Sequence, residues 1–254
     1  MKGERVKEVI IRHPTLRWPI PIELIQLLPG KRLHSIERRA KYLLLNFSHG
    51  TLILHLGMSG TLRILPPQTP LKKHDHFDLI MDNNQCLRLN DPRRFGAVLW
   101  SKAPASQHPL IKSLGPEPLE EEFDGNHLYQ RSRKRKIAIK PFLMDNKVVV
   151  GVGNIYANES LFLCGIDPRR KAASISKSHY HQLAVIIKTV LNSAIKQGGT
   201  TLNDFTQSDG KPGYFQQQLQ VYGRSNQPCT HCHTPIKQIT QGQRSSFFCP
   251  QCQG

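Results

Sequence analysis

The chain has 254 residues, room for one large domain or about two to three smaller ones, and enough to bury a core without disulfides. Lys and Arg number 35 against 18 Asp and Glu, a formal net charge of +17, with 38% hydrophobic and 21% charged residues. That balance excludes a disordered chain, and no apolar stretch approaches the roughly 20 residues that a membrane-spanning helix needs. The opening residues include Lys2, Glu4, Arg5, Lys7 and Glu8 and hold no apolar signal segment, so a cytoplasmic location is expected. So large an excess of positive charge points to an anionic polymer as partner.

Short segments rich in Val, Ile, Leu and Phe fill the first half: 5–12, 32–47, 51–58, 61–65, 76–82, 85–90 and 96–101. Turn signals such as His49-Gly50 and Asn83-Asn84 separate them, which predicts the strands of a sandwich or barrel. Pro21 to Leu28 reads as a short helix inserted early. After Gly115-Pro116-Glu117-Pro118 the pattern becomes helical, over 126–135, 140–145, 158–164 and 176–197. In the last of these Leu183, Ile186, Ile187, Val190, Leu191 and Ala194 form an apolar stripe, read as core packing. Gly198-Gly199 ends the helix, and the polar, Gly-rich stretch to Phe215 is long enough to predict a functional loop.

The positive charge is clustered. Lys31, Arg32, His34, Arg38, Arg39 and Lys41 are opposed only by Glu37, and Arg131, Arg133, Lys134, Arg135, Lys136 and Lys140 by no acid at all. A single run of this kind is as often a solvated face as a binding site. Two runs, with Lys72, Lys73, Arg93 and Arg94 beside them, favour nucleic acid, bound through counterion release.

Cys229-x-x-Cys232 and Cys249-x-x-Cys252 are separated by sixteen residues. Four soft ligands on two such knuckles suit one tetrahedral zinc ion, whose binding would supply the folding energy of a segment too short for its own core. Disulfides are the alternative, and nothing in the opening residues indicates an oxidising compartment. Cys86 and Cys164 lie among apolar residues and are expected to be inert buried thiols.

Taken together, RRAKYLLL (38–45), HLGMSG (55–60), KHDHFDL (73–79), DPRRFG (91–96), LGPEPL (114–119), AIKPFLMDN (138–146), VVGVGNIYANESLF (149–162), QGGTT (197–201), DGKPGYF (209–215), VYGR (221–224) and the cysteine tail resemble the bacterial formamidopyrimidine-DNA glycosylase family. The resemblance runs in family order over nearly the whole chain. It implies an α+β architecture: a β-sandwich over 1–113, a helix–two-turn–helix region over 114–215 with a lesion-capping loop at about 199–215, and a zinc-finger hairpin over 216–254. The implied activity is excision of oxidised purines from damaged double-stranded DNA, by a monomer carrying one zinc ion. Met58, Arg93 and Phe95 match residues that fill the hole left by the flipped nucleotide. Without the family, Met58 and Phe95 would be read as core. Lys41, His74, Arg93, Lys136 and Arg244 match positions that hold phosphates around the lesion, and Asn154 matches a phosphate-binding Asn between two helices. The resemblance makes Lys41 and Arg244 the catalytic candidates: the family's lysine at Lys41 also serves elimination chemistry, and its arginine at Arg244 lies on the zinc hairpin; Glu159 matches an acid near the site, for which a structural role is expected first.

The family's activity depends on an N-terminal Pro-Glu-Leu-Pro-Glu run, whose proline amine attacks C1′ of the damaged nucleoside. This chain opens MKGERVKEVII, which resembles the family only from its first strand onward. The expectation is lesion binding with little or no excision by this chain, because strand 5–12 tethers the Met1 amine. Two alternatives are an enzyme like endonuclease VIII, acting on oxidised pyrimidines, and a non-catalytic zinc protein that binds lesions.

Overall fold

The structure is a computed structural model and describes residues 1–198 and 218–254. The capping loop expected at 199–215 lies outside the described residues. The chain divides into two compact units, the first holding Met1–Ser113 and the second beginning at Leu114.

The first unit contains β1 (Val6–Ile11), α1 (Leu24–Leu27), β2 (Ser35–Arg39), β3 (Tyr42–Phe47), β4 (Gly50–His55), β5 (Thr61–Leu65), β6 (Asp75–Met81), β7 (Cys86–Asn90), β8 (Ala97–Ser101) and α2 (Pro109–Lys112). The strands form two antiparallel four-stranded sheets, ordered β1-β6-β7-β5 and β2-β3-β4-β8. Val9, Phe77, Leu79 and Leu89 of one sheet and Leu45, Leu52, Leu54 and Val98 of the other share one buried cluster, the core of a β-sandwich. Strand β6 is buried at all seven positions because it is paired on both sides.

Three expectations need correction here. The segment 32–47 is two strands, because Ala40 takes a positive φ of 53° and reverses the chain before Lys41. The early helix is only Leu24–Leu27, anchored by fully buried Leu24 and Leu28. The helix α2, begun by Pro109 and capped by the His108 ring, was not expected from the apolar pattern.

The second unit holds α3 (Gly125–Ser132), α4 (Ile139–Leu143), α5 (Asn154–Leu163), α6 (Lys177–Lys196), β9 (Lys237–Gln241) and β10 (Arg244–Phe248). Asp124 caps α3 by accepting from the His127 N–H at 2.7 Å, and Ser176 caps α6 through the His179 N–H at 3.2 Å. The predicted α6 stripe is largely buried, with Tyr180 and Leu183 packed among Phe142, Ala157 and Leu161. Helix α3 stops at Ser132, three residues before the expected end. Strands β9 and β10 form a hairpin over Gly242 and Gln243, both at positive φ as a primed turn requires.

A buried ion pair lies inside the sandwich. Arg88 and Asp78 are 1% and 0% exposed, and the guanidinium donates from Nε and Nη2 to the two carboxylate oxygens, each at 2.9 Å. Arg12 adds a bond to Asp78 Oδ2 at 2.7 Å. Burial alone would push the Asp78 carboxyl up, but the Arg12 and Arg88 hydrogen bonds outweigh it and hold it below the ordinary value. Asp78→Ala, which strands Arg88, is expected to cost about 3–5 kcal/mol in urea unfolding, and the double change Asp78→Leu with Arg88→Met much less. Because the folded carboxyl is depressed, its contribution is fully present above the unfolded value near about 4 and is lost as pH falls through the folded one. Asp78→Asn should remove that part of the acid dependence.

Candidate functional site

In the first unit the candidate residues gather at one end of the sandwich, where β2–β3, β4–β5 and β7–β8 are joined. Lys41 follows the Ala40 reversal, opposite the end of β4 in the Tyr42–His55 register. The Tyr42 and His55 rings lie 4.9 Å apart. Burial, then the charges of Lys41 and Arg17, hold the His55 ring below its usual range.

Met58 and Phe95 sit on adjacent turns and are 41% and 45% exposed, so the core reading made without the family is overturned. Gly57 has φ +65° and lies so close to the second turn that a Cβ there would stand 2.5 Å from the Phe95 carbonyl carbon. Only glycine allows that approach. The Arg93 guanidinium lies over the Phe95 ring, 4.9 Å from its centroid. Arg94, at φ +54°, contacts the His13 ring with Nη1 to Nε2 at 2.7 Å.

The residue that organises these turns is Asp91, which sequence reasoning passed over. It is fully buried; Oδ2 accepts the Gly96 N–H at 2.7 Å and Oδ1 the Ser59 hydroxyl at 3.4 Å. One carboxylate thus fixes both apolar turns. Its backbone N–H donates to the His74 carbonyl at 3.0 Å, while its carbonyl is bonded by His76 Nε2 at 3.0 Å and the Arg94 N–H at 3.2 Å. His74 itself is held at φ +76°. The signal available in sequence was the DPRRFG motif, an acid opening a tight turn before glycine.

In the second unit the candidates occupy three different elements. Lys136 is exposed in the segment before α4. Asn154 is the first residue of α5, not a residue between helices, and its Oδ1 is buried without a hydrogen-bond partner among the described residues. Arg244 opens β10 opposite Gln241, exposed beside a cavity of about 220 Å³ that Lys140, Met144 and Gln241 also line. Two members of the second basic run are structural. Arg133 covers the Tyr129 ring at 4.0 Å and donates to the Ile175 carbonyl at 3.1 Å. Lys140, 1% exposed, donates to the Ser245 carbonyl and the Ser246 hydroxyl at 2.7 and 2.8 Å. Burial and the neighbouring Arg244 charge pull its ammonium down to about 8.

Glu159 is buried and structural, as expected: its carboxylate accepts the N–H groups of Gln220, Val221 and Tyr222 at 2.8, 3.1 and 2.8 Å. Burial pushes the group up, and the three donors pull it back.

Cys229, Cys232, Cys249 and Cys252 place their Sγ atoms all within 4.8 Å of one another. The Cys229–Cys252 and Cys232–Cys249 separations are 3.9 and 3.4 Å, far beyond a disulfide and close to the ligand spacing of tetrahedral thiolate zinc. The His231 and Cys252 N–H groups each donate to a knuckle sulfur at 3.4 Å. His231 stacks on Phe162 at 4.9 Å and lies outside the cluster. Cys86 and Cys164 are buried thiols pushed up by burial to about 12 and about 11.

A sandwich that presents an apolar pair and a guanidinium on its turns, followed by a helical unit closing on a four-cysteine zinc hairpin, defines a zinc-bearing, DNA-binding repair protein. Comparison with known proteins gives the particular family. Residues 1–98 match the formamidopyrimidine-DNA glycosylase N-terminal domain, 114–206 the formamidopyrimidine-DNA glycosylase H2TH domain, and 226–254 the zinc finger found in FPG and IleRS. The formamidopyrimidine-DNA glycosylase of Thioalkalivibrio sulfidiphilus is 55% identical over 251 residues, 99% of this chain and 93% of that protein. That of Stenotrophomonas maltophilia (strain K279a) is 56% identical over 253 residues, 100% and 93% of the two chains. Among solved structures, the MutM (Fpg) protein of Thermus thermophilus superposes with a TM-score of 0.87 at 34% identity, covering 100% of this chain and 93% of that one. The Lactococcus lactis Fpg bound to DNA containing an abasic site gives 0.87 at 33% identity, with the same coverage. The chain belongs to the formamidopyrimidine-DNA glycosylase family.

Two outcomes follow from this geometry. Asp91→Asn keeps one acceptor but turns an amide toward a donor, so a loss of about 1–3 kcal/mol is expected, with faster hydrogen exchange at the Gly96 amide. Chelating the zinc should raise exchange first at Phe247 and Cys249, whose N–H groups bond Asn158 and Gln253, while leaving the sandwich amides protected.

Proposed function

We propose that this protein is a base-excision DNA glycosylase and abasic-site lyase for oxidised purines, such as 8-oxoguanine and formamidopyrimidines, in double-stranded DNA. One observation carries the reading: Met58 and Phe95 stand exposed on turns that a buried carboxylate holds rigid, with Arg93 laid over the Phe95 ring. Exposed apolar wedges at that cost suit a surface that enters base steps. Extruding a nucleotide costs a few kcal/mol of stacking, which an inserted side chain offsets. Met58 and Phe95 then fill the vacated space and Arg93 faces the orphaned base. Lys41, His74, Lys136, Asn154 and Arg244 hold the flanking phosphates, and Lys41 also serves the elimination steps, with Arg244 as the second catalytic group. The protein works as a monomer in the cytoplasm.

In the family the attack on C1′ comes from a proline amine. In this structure the Met1 amine donates to Gln85 Oε1 at 2.8 Å.

The test is competition binding of duplexes carrying 8-oxoguanine, thymine glycol or no lesion. Preference for 8-oxoguanine is expected, and Phe95→Ala should weaken it about 10-fold or more, the scale of one lost aromatic–base contact. Preference for thymine glycol would transfer the assignment to the oxidised-pyrimidine enzymes, and equal affinity for all three would overturn lesion recognition.

A further inference from the structure

The first basic run, continuous in sequence, is split by the fold. Strand β2 begins just after Lys31, Arg32 and His34 and carries Arg38 and Arg39 at its far end, with Lys41 beyond them. From His34 to Ala40 the chain advances about 20 Å at ~3.4 Å per residue. Only the second group lies at the end where Lys41, Met58 and Phe95 gather. The first group faces a different feature.

At that opposite end an open cavity of about 430 Å³ is lined by Arg5, Lys31, Arg32, His34, Ser48 and His49, with Gly30 at its edge. Its lining holds three fixed cations, two imidazoles and no carboxylate. The backbone beneath is rigid. Val6 N–H donates to the Lys31 carbonyl at 2.8 Å, Gly30 N–H to Val6 at 2.7 Å, Leu33 N–H to Glu4 at 2.9 Å and His34 N–H to Asn46 at 2.9 Å. Fully buried Leu28 and Leu33 anchor the segment from below. Arg5 is steered by its bond to the Gly30 carbonyl at 2.8 Å, and His34 Nε2 pairs with the Ser48 hydroxyl at 2.7 Å. The side chains of Lys31 and Arg32 make no hydrogen bond or ion pair to the described residues. Cations converging on one concavity without an internal counter-charge repel one another, and a bound phosphate would relieve that.

We propose that this cavity is a second phosphate-binding site, taking a backbone phosphate of duplex DNA away from the lesion. The inference rests on the proposed DNA-repair function for its choice of DNA over free phosphate. Lying a strand's length from the apolar turns, the site adds affinity for DNA of any sequence and reads no lesion. It would hold undamaged duplex during search.

The test uses the full chain and the pair Lys31→Glu with Arg32→Glu, both exposed and outside the lesion site. Affinity for a long undamaged duplex is measured across salt concentrations, beside affinity for a short duplex limited to the lesion contact. Loss of that one phosphate contact should lower the salt slope on the long duplex by about one, and its affinity roughly ten-fold at low salt. The short lesion duplex and the melting temperature should be unchanged. The pair Lys112→Glu with Lys177→Glu makes the same charge change elsewhere; an equal effect from it would reduce the result to net charge and overturn the site. An unchanged long-duplex slope, with tripolyphosphate raising the wild-type melting temperature but not the variant's, would assign the cavity to free polyphosphate and overturn the DNA contact. If the wild-type chain fails to prefer the lesion duplex, the proposed function falls, while the long-duplex slope still decides this site.

Discussion

The working end of the sandwich hangs on one buried carboxylate. Asp91 is fully buried and has no cation paired with it among the described residues; its oxygens are met by the Gly96 N–H and the Ser59 hydroxyl. Such an arrangement is costly to desolvate and stable only while its donors stay in place. That makes the two turns a single unit: neither can move without stripping a donor from a buried charge. Gly57, pressed against the backbone of Phe95 and Gly96, removes the remaining slack. Exposed Met58 and Phe95 are thereby held in place before any partner arrives, and the entropy of ordering them is not charged to binding.

The second unit uses polar contacts for a related purpose. Residues Ala157 to Phe162 of α5 are buried in an unbroken run, which an amphipathic helix does not show. One side packs on α6 through Ala157 and Leu161. The other side is polar and is met by the tail: Asn158 Oδ1 accepts the Phe247 N–H at 2.7 Å, and Glu159 takes three N–H groups from residues 220–222. Lys140 grips β10 from α4, and Gln253 ties the second cysteine knuckle to the Ile166 carbonyl at 2.8 Å. Zinc fixes the knuckles, and these bonds fix the hairpin to the helices. Arg244 owes its position to both.

This explains what the sequence made legible. Sandwich strands announce themselves as short apolar runs between turn signals, and α6 by an apolar stripe at helical spacing. Helix α5 has no such period, so the apolar pattern does not reveal its first turn, which begins at Asn154. The cysteine spacing was sufficient for the metal, since four thiolates at those intervals have few other uses. Met58 and Phe95 were the reverse case: composition says core, and only the resemblance to a family put them on the surface. Asp91 was invisible as an organiser because its partners are a backbone amide and a serine 32 positions away. Nor can a run of cations reveal that a strand carries its two ends apart, as β2 does in residues 31–41.

Backbone strain is distributed in the same pattern. Among the described residues, eight that are not glycine have positive φ: Ala40, His74, Asn84, Arg94, Lys134, Asn226, His233 and Gln243. Asn84 and Asn226 are residue types that tolerate the conformation. Of the other six, His74 is itself a candidate DNA contact, and Ala40, Arg94, Lys134 and Gln243 each lie within two residues of another: Lys41, Arg93, Lys136 or Arg244. His233 follows a zinc ligand. For a residue with a Cβ this geometry costs on the order of 1 kcal/mol, and it persists only where surrounding contacts over-determine it. Here those contacts are visible for the sandwich turns: the Asp91 carbonyl receives the Arg94 N–H, and the His74 carbonyl receives the Asp91 N–H. The same carboxylate-bearing residue that joins the two apolar turns also holds their strained neighbours. Stability has been traded, turn by turn, for the direction in which a few side chains point.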